Sequence, residues 1–95
     1  MAVTIATTSP YDIVEDTDYF IGVSNNTGAT FVVNLPATPD TGEVYIVKDV
    51  LGNAGTDPIS ISGGAILIDG AATAVINTDY GSLTFVFNGT EWNIV

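Results

Sequence analysis

The chain has 95 residues, of which 46% are apolar and 13% are charged, and its eleven carboxylates stand against one cation, Lys48, for a net charge of −10. That length fits one domain with a small core, and that charge excludes nucleic-acid backbones and anionic membranes as partners, because both are themselves negative. A domain of this size cannot bury this much apolar surface in its own core. The composition therefore predicts burial against copies of the chain or a large partner.

The residue types also narrow the chemistry. The chain has no Cys, His or Arg, which removes thiolate, imidazole and Ser-His-Asp chemistry and zinc sites built on Cys or His. No stretch has the form of a secretory signal, and no apolar run approaches the roughly 20 residues of a membrane span. We therefore expect a protein with no cofactor and no catalytic residues, rather than an enzyme.

The first part of the chain divides into an arm and the start of a domain. Residues 1–10 are uncharged and rich in Thr and Ala, and they predict an extended N-terminal arm, with residues 11–95 forming a single β-domain. The arm is either a frayed end or first edge strand, or a segment that reaches onto a neighbouring subunit.

An acidic loop follows the arm. Four carboxylates lie close together here, on Asp12, Glu15, Asp16 and Asp18. A solvated loop is the simpler interpretation, and a calcium site is the alternative, because Ca²⁺ takes several oxygen ligands from one loop. The EF-hand spacing is absent.

Short alternating apolar runs predict the first strands. Tyr19–Ser24 and Thr30–Leu35 flank a turn at residues 25–28 and predict a hairpin in which Val23 faces Phe31. In the next strand Tyr45 and Val47 point one way and Val44 and Ile46 the other. Because both faces are largely apolar, we expect this strand to be covered on both sides, by its own core and by a partner.

The second half continues as short strands separated by turn residues. Ile59–Ser62, Ala65–Ile68 and Thr73–Ile76 are predicted strands, Asp69-Gly70 a tight turn and Asn77–Gly81 a loop. No window has the spacing of a long helix, and no strict repeat is present.

A C-terminal hairpin is the clearest local pattern. A two-residue turn at Asn88-Gly89 would pair Phe85 with Trp92 and Leu83 with Ile94. A longer loop would change the pairing, but the same apolar residues would share one face. The residues that we assign to the core or to an interface are Tyr45, Val47, Tyr80, Phe85, Trp92 and Ile94.

Three further patterns have a simple structural interpretation. Asp40-Thr41-Gly42 matches the Asp-Thr-Gly of aspartic proteases, but it follows a proline-rich turn instead of a buried strand, which predicts an exposed loop. A glycosidase-like pair of carboxylates would need a cleft for which the chain has little length. Tyr80 is the aromatic residue that we expect to be exposed, where it would pack on a neighbour or stack on a sugar ring.

Taken together, the strands predict an all-β fold, a small antiparallel β-sandwich or barrel-like module. The order of several pieces resembles a β-module that recurs in bacteriophage tail fibres, tailspikes and capsid decoration (cement) proteins. The pieces are Val44–Asp49, Gly52–Ala54, Ile59–Ile61, Ile68–Gly70, Tyr80–Ser82 and Asn88–Ile94. The resemblance spans about residues 35–95, and it implies a module that assembles as a homotrimer and carries no catalytic residues.

The resemblance leaves two functions open. A chain without the long shaft and anchoring end of a fibre suits a capsid decoration protein, made in the bacterial cytoplasm and bound to the major capsid protein on the virion exterior. The alternative is a tail fibre or tailspike tip that binds a host surface glycan through residues 50–58 and 77–81.

Overall fold

The computed structural model describes residues 2–95, and within them the chain forms strands and no helix. No segment of this range makes a helix suited to crossing a bilayer. The all-β prediction is therefore confirmed. The nine strands are β1 (Val3–Ala6), β2 (Tyr11–Asp12), β3 (Phe20–Val23), β4 (Phe31–Asn34), β5 (Val44–Asp49), β6 (Ile59–Ser62), β7 (Thr73–Ile76), β8 (Ser82–Phe87) and β9 (Trp92–Ile94).

The strands form two mixed sheets around one core. Sheet A has the order β1-β3-β5-β8-β9 and sheet B the order β2-β4-β6-β7. From β1 to β6 the chain alternates between the sheets, and each of the strands β1 to β4 pairs in parallel with the strand two places further on. This part of the chain is therefore a coil of three rungs, each with one strand in either sheet. The later strands β7, β8 and β9 add to the sheets in antiparallel pairing.

The prediction of an antiparallel sandwich is wrong for the first six strands, and the predicted β3–β4 hairpin does not form. β3 lies in sheet A and β4 in sheet B. The buried Asn25 shapes the corner between them, because its side chain accepts from Thr27 N–H at 3.2 Å and donates to the Ala29 carbonyl at 2.8 Å. The alternation did identify the inward faces, since Val23 and Phe31 are both fully buried. Two opposed sheets can each point an apolar face into one core without pairing with each other.

The core between the sheets is filled by aromatic and β-branched side chains. Trp92 is fully buried and packs against Phe87 and Tyr45, with ring centroids 5.3 and 5.8 Å away. Sheet B contributes Phe31 and Ile59 to the core, and both are also fully buried. The single core explains why both sheets belong to one domain.

The segment between β6 and β7 differs in part from expectation. The predicted strand at Ala65–Ile68 is wrong, because only Ile68 pairs, in isolated bridges with Ala71 and Trp92. The turn at Asp69-Gly70 is confirmed: both residues have positive φ, 47° and 81°, and the N–H of Ile68 donates to the Ala71 carbonyl at 2.7 Å. A two-residue turn with both φ positive is the geometry for which Asp-Gly is suited. The strand β7 has the predicted bounds.

The C-terminal hairpin forms with a longer loop than the two-residue turn. Phe87 pairs with Trp92 and Phe85 with Ile94, a register two residues away from the first expectation. The Asn88 side-chain oxygen accepts from the N–H groups of Thr90 and Glu91 at 2.8 and 2.9 Å, which stabilises a four-residue loop. A shift of two residues keeps each side chain on its side of the hairpin, so the apolar residues predicted to lie on one side still do so.

Candidate functional site

The outer face of sheet A is apolar although it points away from the core. Along β5 the buried residues alternate with half-buried ones, so that Val44 and Ile46 point outward. The sheet register places Ile46 beside Phe20, and Phe20 beside Val3 of the edge strand β1. We call this surface the apolar face, and its members are Val3, Ile5, Phe20, Val44, Ile46 and Val86.

Close packing around a glycine makes the apolar face continuous. Gly22 lies at the centre of three apolar side chains. A Cβ atom there would lie 2.9 Å from Val50 Cγ1, 3.0 Å from Ile5 Cδ1 and 3.3 Å from Phe20 Cε1. These distances are shorter than ordinary van der Waals contact. Glycine therefore lets side chains of β1 and β3 join with Val50 in one patch.

The apolar face also lacks carboxylates. Among the outward positions of the sheet A strands, Lys48 is the only charged residue, and it is the single cation of the chain. Its ammonium group donates to the Tyr80 carbonyl at 2.5 Å. The negative charge of the protein is therefore carried elsewhere, and this face can approach another surface without bringing carboxylates into contact.

Sheet B presents a different outer face. Its outward positions are mainly polar, and Asn34 donates to the Asp12 carboxylate at 2.8 Å. Ser60 and Ser62 of β6 also point outward, while Ile59 and Ile61 are buried. The difference between the two faces indicates that sheet A, and not sheet B, has the surface suited to burial against a partner.

One buried carboxylate joins the two loops that were candidates for glycan contact. Asp49 is 1% exposed, and its oxygens accept four backbone hydrogen bonds. The donors are the N–H groups of Leu51 at 3.1 Å, Gly52 at 3.0 Å, Ala54 at 2.9 Å and Tyr80 at 3.0 Å. Burial alone would raise the pKa of Asp49, but these donors favour the ionised form and hold its pKa below the ordinary value. Residues 50–58 and 77–81 therefore form one surface.

Tyr80 is the exposed aromatic residue of that surface. Its side chain is 59% exposed, and its ring lies against Gly52, where a Cβ atom would come within 2.5 Å of the ring. The Asp79 carboxylate accepts from the Gly55 N–H at 2.8 Å, a second link between the loops. The loops thus present an exposed aromatic ring that lies against Gly52 and has the Lys48 ammonium 5.8 Å from its centroid, and such a ring can stack on a planar or sugar ring.

The other residues assigned to a core or an interface lie inside or at the rim of the core. Tyr45, Val47, Phe85 and Trp92 are buried, and Ile94 is half-buried against the core. What the sequence analysis missed is the contribution of β1 and β3 to the apolar face. Val44 and Ile46 were predicted to share one face of their strand, but Val3 and Phe20 join that face only through parallel pairing between strands far apart in the chain.

The simpler interpretation predicted that the acidic loop is solvated, but one of its carboxylates is buried. Asp18 is 8% exposed and accepts from the hydroxyls of Thr4 and Tyr11, both at 2.6 Å, and from the Val14 N–H at 2.9 Å. Burial opposes its charge, but these three donors lower its pKa on balance. Asp18 therefore ties the acidic loop to β1 and β2.

Another loop acid, Glu15, lies near two carboxylates of the Asp40-Thr41-Gly42 region. Glu15, Asp40 and Glu43 each place a carboxylate oxygen within 4.8 Å of the others. The close approach of the Glu43 carboxylate raises the pKa of Glu15, because a neighbouring negative charge disfavours ionisation. Asp40 is exposed, as predicted for this motif. Clusters of exposed acids are common, so calcium binding stays a prediction.

Comparison with models of known protein families found no match, and comparison with curated proteins found none either.

Proposed function

We propose that this chain is a non-enzymatic structural protein of a bacteriophage virion, which decorates the capsid and clamps neighbouring capsid subunits. The observation that carries the proposal is the apolar face, a carboxylate-free surface on a chain of net charge −10. Its exposed members include Val3 and Ile5, which are 69% and 54% exposed. The homotrimer and the virion location come from the resemblance to phage modules.

The mechanism is burial of apolar surface on the assembled shell. Each square ångström of apolar surface removed from water contributes about 25 cal/mol, and a ligand that binds only the assembled state stabilises that state by mass action. The carboxylates on other surfaces would remain in solvent, where they keep decorated particles apart. The apolar face would thus bind the shell, while the acidic surfaces would remain exposed and repel neighbouring particles.

A charge placed on the apolar face should prevent binding to the shell. We expect Ile46→Glu to weaken binding by about 100-fold or more, because burial of an unpaired carboxylate costs several kcal/mol. Binding is measured by cosedimentation with shells of the virus that encodes the chain. Ile46 points away from the core, so the variant should fold, and the fluorescence of the buried Trp92 reports whether it does.

Ser60→Glu is the matched control, because Ser60 has the corresponding outward, half-buried position in the middle of sheet B. The control should bind like the wild type, with hundreds of copies per particle. Equal weakening by both variants, or shells that bind no wild-type protein, would contradict the proposal.

A second candidate, a tail tip that binds a host surface glycan, is favoured by one observation. Asp49 holds the two candidate loops together and Tyr80 projects from them with an exposed ring. A rigid, half-open aromatic platform fits the apolar face of a sugar ring. This function would use the loop surface and not the apolar face, so separate variants distinguish the two candidates.

For the tail-tip function, loss of the Tyr80 ring should abolish recognition. Tyr80 has a φ of 61°, which Asn tolerates better than most residues, so Tyr80→Asn removes the ring with little backbone strain. We expect binding on a glycan array to fall about tenfold or more, while Tyr80→Phe, which keeps the ring, retains most of it. If the wild type binds no glycan, or Tyr80→Asn binds as well as the wild type, the tail-tip function is excluded.

A further inference from the structure

We propose that two copies of this chain pair edge to edge through β1, so that sheet A continues from one copy into the other. β1 is the first strand of sheet A, and among residues 2–95 it pairs only with β3. Its sequence, Val-Thr-Ile-Ala, contains no charge, proline or other feature that protects an edge strand from pairing.

The backbone of β1 has hydrogen-bonding groups that point away from its own sheet. The carbonyls of Ala2 and Ala6 accept from the N–H groups of Phe20 and Ser24 in the parallel ladder with β3. Backbone groups alternate along a strand, so Val3 and Ile5 direct their N–H and C=O groups to the opposite side. Two donors and two acceptors therefore form a row along an open edge.

This row is complementary to itself in one antiparallel register. With a two-fold axis at Thr4, Val3 of one copy lies opposite Ile5 of the second copy, and the two exchange both backbone hydrogen bonds. Ile5 of the first copy and Val3 of the second copy form the symmetry-related pair, and they exchange two further backbone hydrogen bonds. The Val3 and Ile5 side chains, 69% and 54% exposed in one copy, then contact each other across the junction on the outer face of the sheet.

The charge distribution favours a second copy of the chain as the occupant. Residues 1–11 contain no charged side chain, although the whole chain carries eleven carboxylates. The carboxylate of Asp18 contacts β1 through the Thr4 hydroxyl, but it is only 8% exposed and accepts three hydrogen bonds within its own copy. The two edge strands of sheet B are less suited, because β2 contains Asp12 and β7 lies between the acidic turns at Asp69 and Asp79, where two copies would repel each other. β1 is thus the edge at which two strongly negative chains can meet with least repulsion.

The opposite edge of sheet A explains why the pairing should be a closed pair and not a chain of copies. The edge of β9 is covered, because Trp92 N–H donates to the Leu67 carbonyl at 3.0 Å and Trp92 accepts from Asp69 N–H at 2.9 Å. A head-to-tail array through sheet A would need both edges to be open. Pairing of β1 with β1 uses the open edge of sheet A in each copy and leaves no open edge on that sheet.

The pairing goes beyond the proposed function and does not depend on it. It uses the backbone edge of β1, whereas binding to a shell uses the apolar face, and Val3 and Ile5 belong to both surfaces. If the chain forms a homotrimer through that face, edge pairing joins two trimers. The relevant result is therefore a mass twice that of the species in which the edge is blocked, whether or not the protein binds a capsid.

Ile5→Glu tests the pairing, because it places a carboxylate at the junction of each copy. Light scattering of the wild type, from about 10 µM to about 1 mM, should show a transition to twice the mass found for the variant, as expected for a small interface. Val75→Glu is the matched control, because it makes the same charge change on β7, an edge strand of sheet B, at a residue that is 50% exposed. This control should double its mass like the wild type.

Added salt should strengthen the pairing, since it screens two chains of like charge. The pairing is excluded if the wild type and Ile5→Glu have the same mass across the whole range, or if Val75→Glu blocks the doubling as well. Should Ile5→Glu not fold, Ile5→Pro replaces it, because proline removes only the outward N–H at this position and is tolerated on an edge strand.

Amide hydrogen exchange provides an independent measurement of the register. The N–H groups of Val3 and Ile5 should become protected as the protein concentration rises. Those of Thr4 and Ala6, which point toward β3 in one copy, should be protected at every concentration. Doubling of mass without new protection at Val3 and Ile5 would place the contact elsewhere and would exclude pairing through β1.

Discussion

Asp49→Asn is expected to lower the free energy of unfolding by about 2–5 kcal/mol, a large part of the roughly 5–15 kcal/mol typical of a small domain. The native carboxylate accepts two backbone N–H groups on each oxygen. An amide has one oxygen and one NH₂ group, so in either orientation two of the four donors would face another donor. A buried donor without an acceptor costs about 1–3 kcal/mol.

Urea unfolding followed by Trp92 fluorescence measures this loss, because Trp92 is the only tryptophan and is fully buried. Asp16→Asn is the matched control: it makes the same change of charge at an exposed carboxylate whose φ of 64° suits Asn. The control should change stability by less than about 0.5 kcal/mol. Equal stability of Asp49→Asn and the wild type would show that the loops do not depend on this carboxylate.

The dependence of this difference on pH identifies its cause. The folded protein holds the pKa values of Asp49 and Asp18 below their ordinary values. Such groups stabilise the fold above the unfolded pKa of about 4, and that contribution is lost as pH falls through the folded pKa. The stability gap between wild type and Asp49→Asn should therefore begin to narrow below about pH 4 and close as pH falls through the folded pKa, where Asp49 becomes neutral like the amide of the variant.

Phe85→Ala is expected to lower the free energy of unfolding by about 3–5 kcal/mol. Phe85 is 0% exposed, lies in β8 between its partners Tyr45 and Ile94, and points into the core that both sheets share. Its removal leaves a cavity that the surrounding strands can fill only in part. The transfer of the ring to solvent and the cavity both contribute to the loss.

Phe20→Ala is the matched control for Phe85→Ala. It removes the same side chain from the same sheet, but Phe20 is only half-buried on the apolar face, so the comparison measures the effect of burial. Its loss should cost clearly less than that of Phe85 in urea unfolding. If the two variants lose the same stability, the apolar face is as important for folding as the core, and its role as a free surface is contradicted.

Local alternation predicted the inward faces well because it depends only on neighbouring residues. Val23, Phe31 and Phe85 are all buried, as their spacing indicated, and β7 has its predicted bounds. The partners of each strand were less predictable. The same alternation fits a strand in a hairpin and a strand that pairs in parallel with a distant one, so the coil of β1 to β6 left no local signal.

The same reasoning explains what was missed at the candidate surfaces. The donors to the Asp49 carboxylate come from two loops, one of them as distant in the chain as Tyr80, so no local pattern indicated them. The apolar face likewise needs Val3, Phe20 and Ile46 to be aligned across three strands. These positions are unequally spaced along the chain, so no fixed repeat marks them.

The coil has a consequence for how such a chain can change in length during evolution. Each rung contributes one strand to either sheet, and contacts run mainly between adjacent rungs. A duplicated rung inserted next to β1 and β2 would continue both parallel ladders without disturbing the strands beyond it. The later strands offer no such freedom, because antiparallel β8 and the segment at residues 67–69 enclose that side of sheet A. Related chains should therefore differ in rung number near their first strands and keep a common closing arrangement after β6.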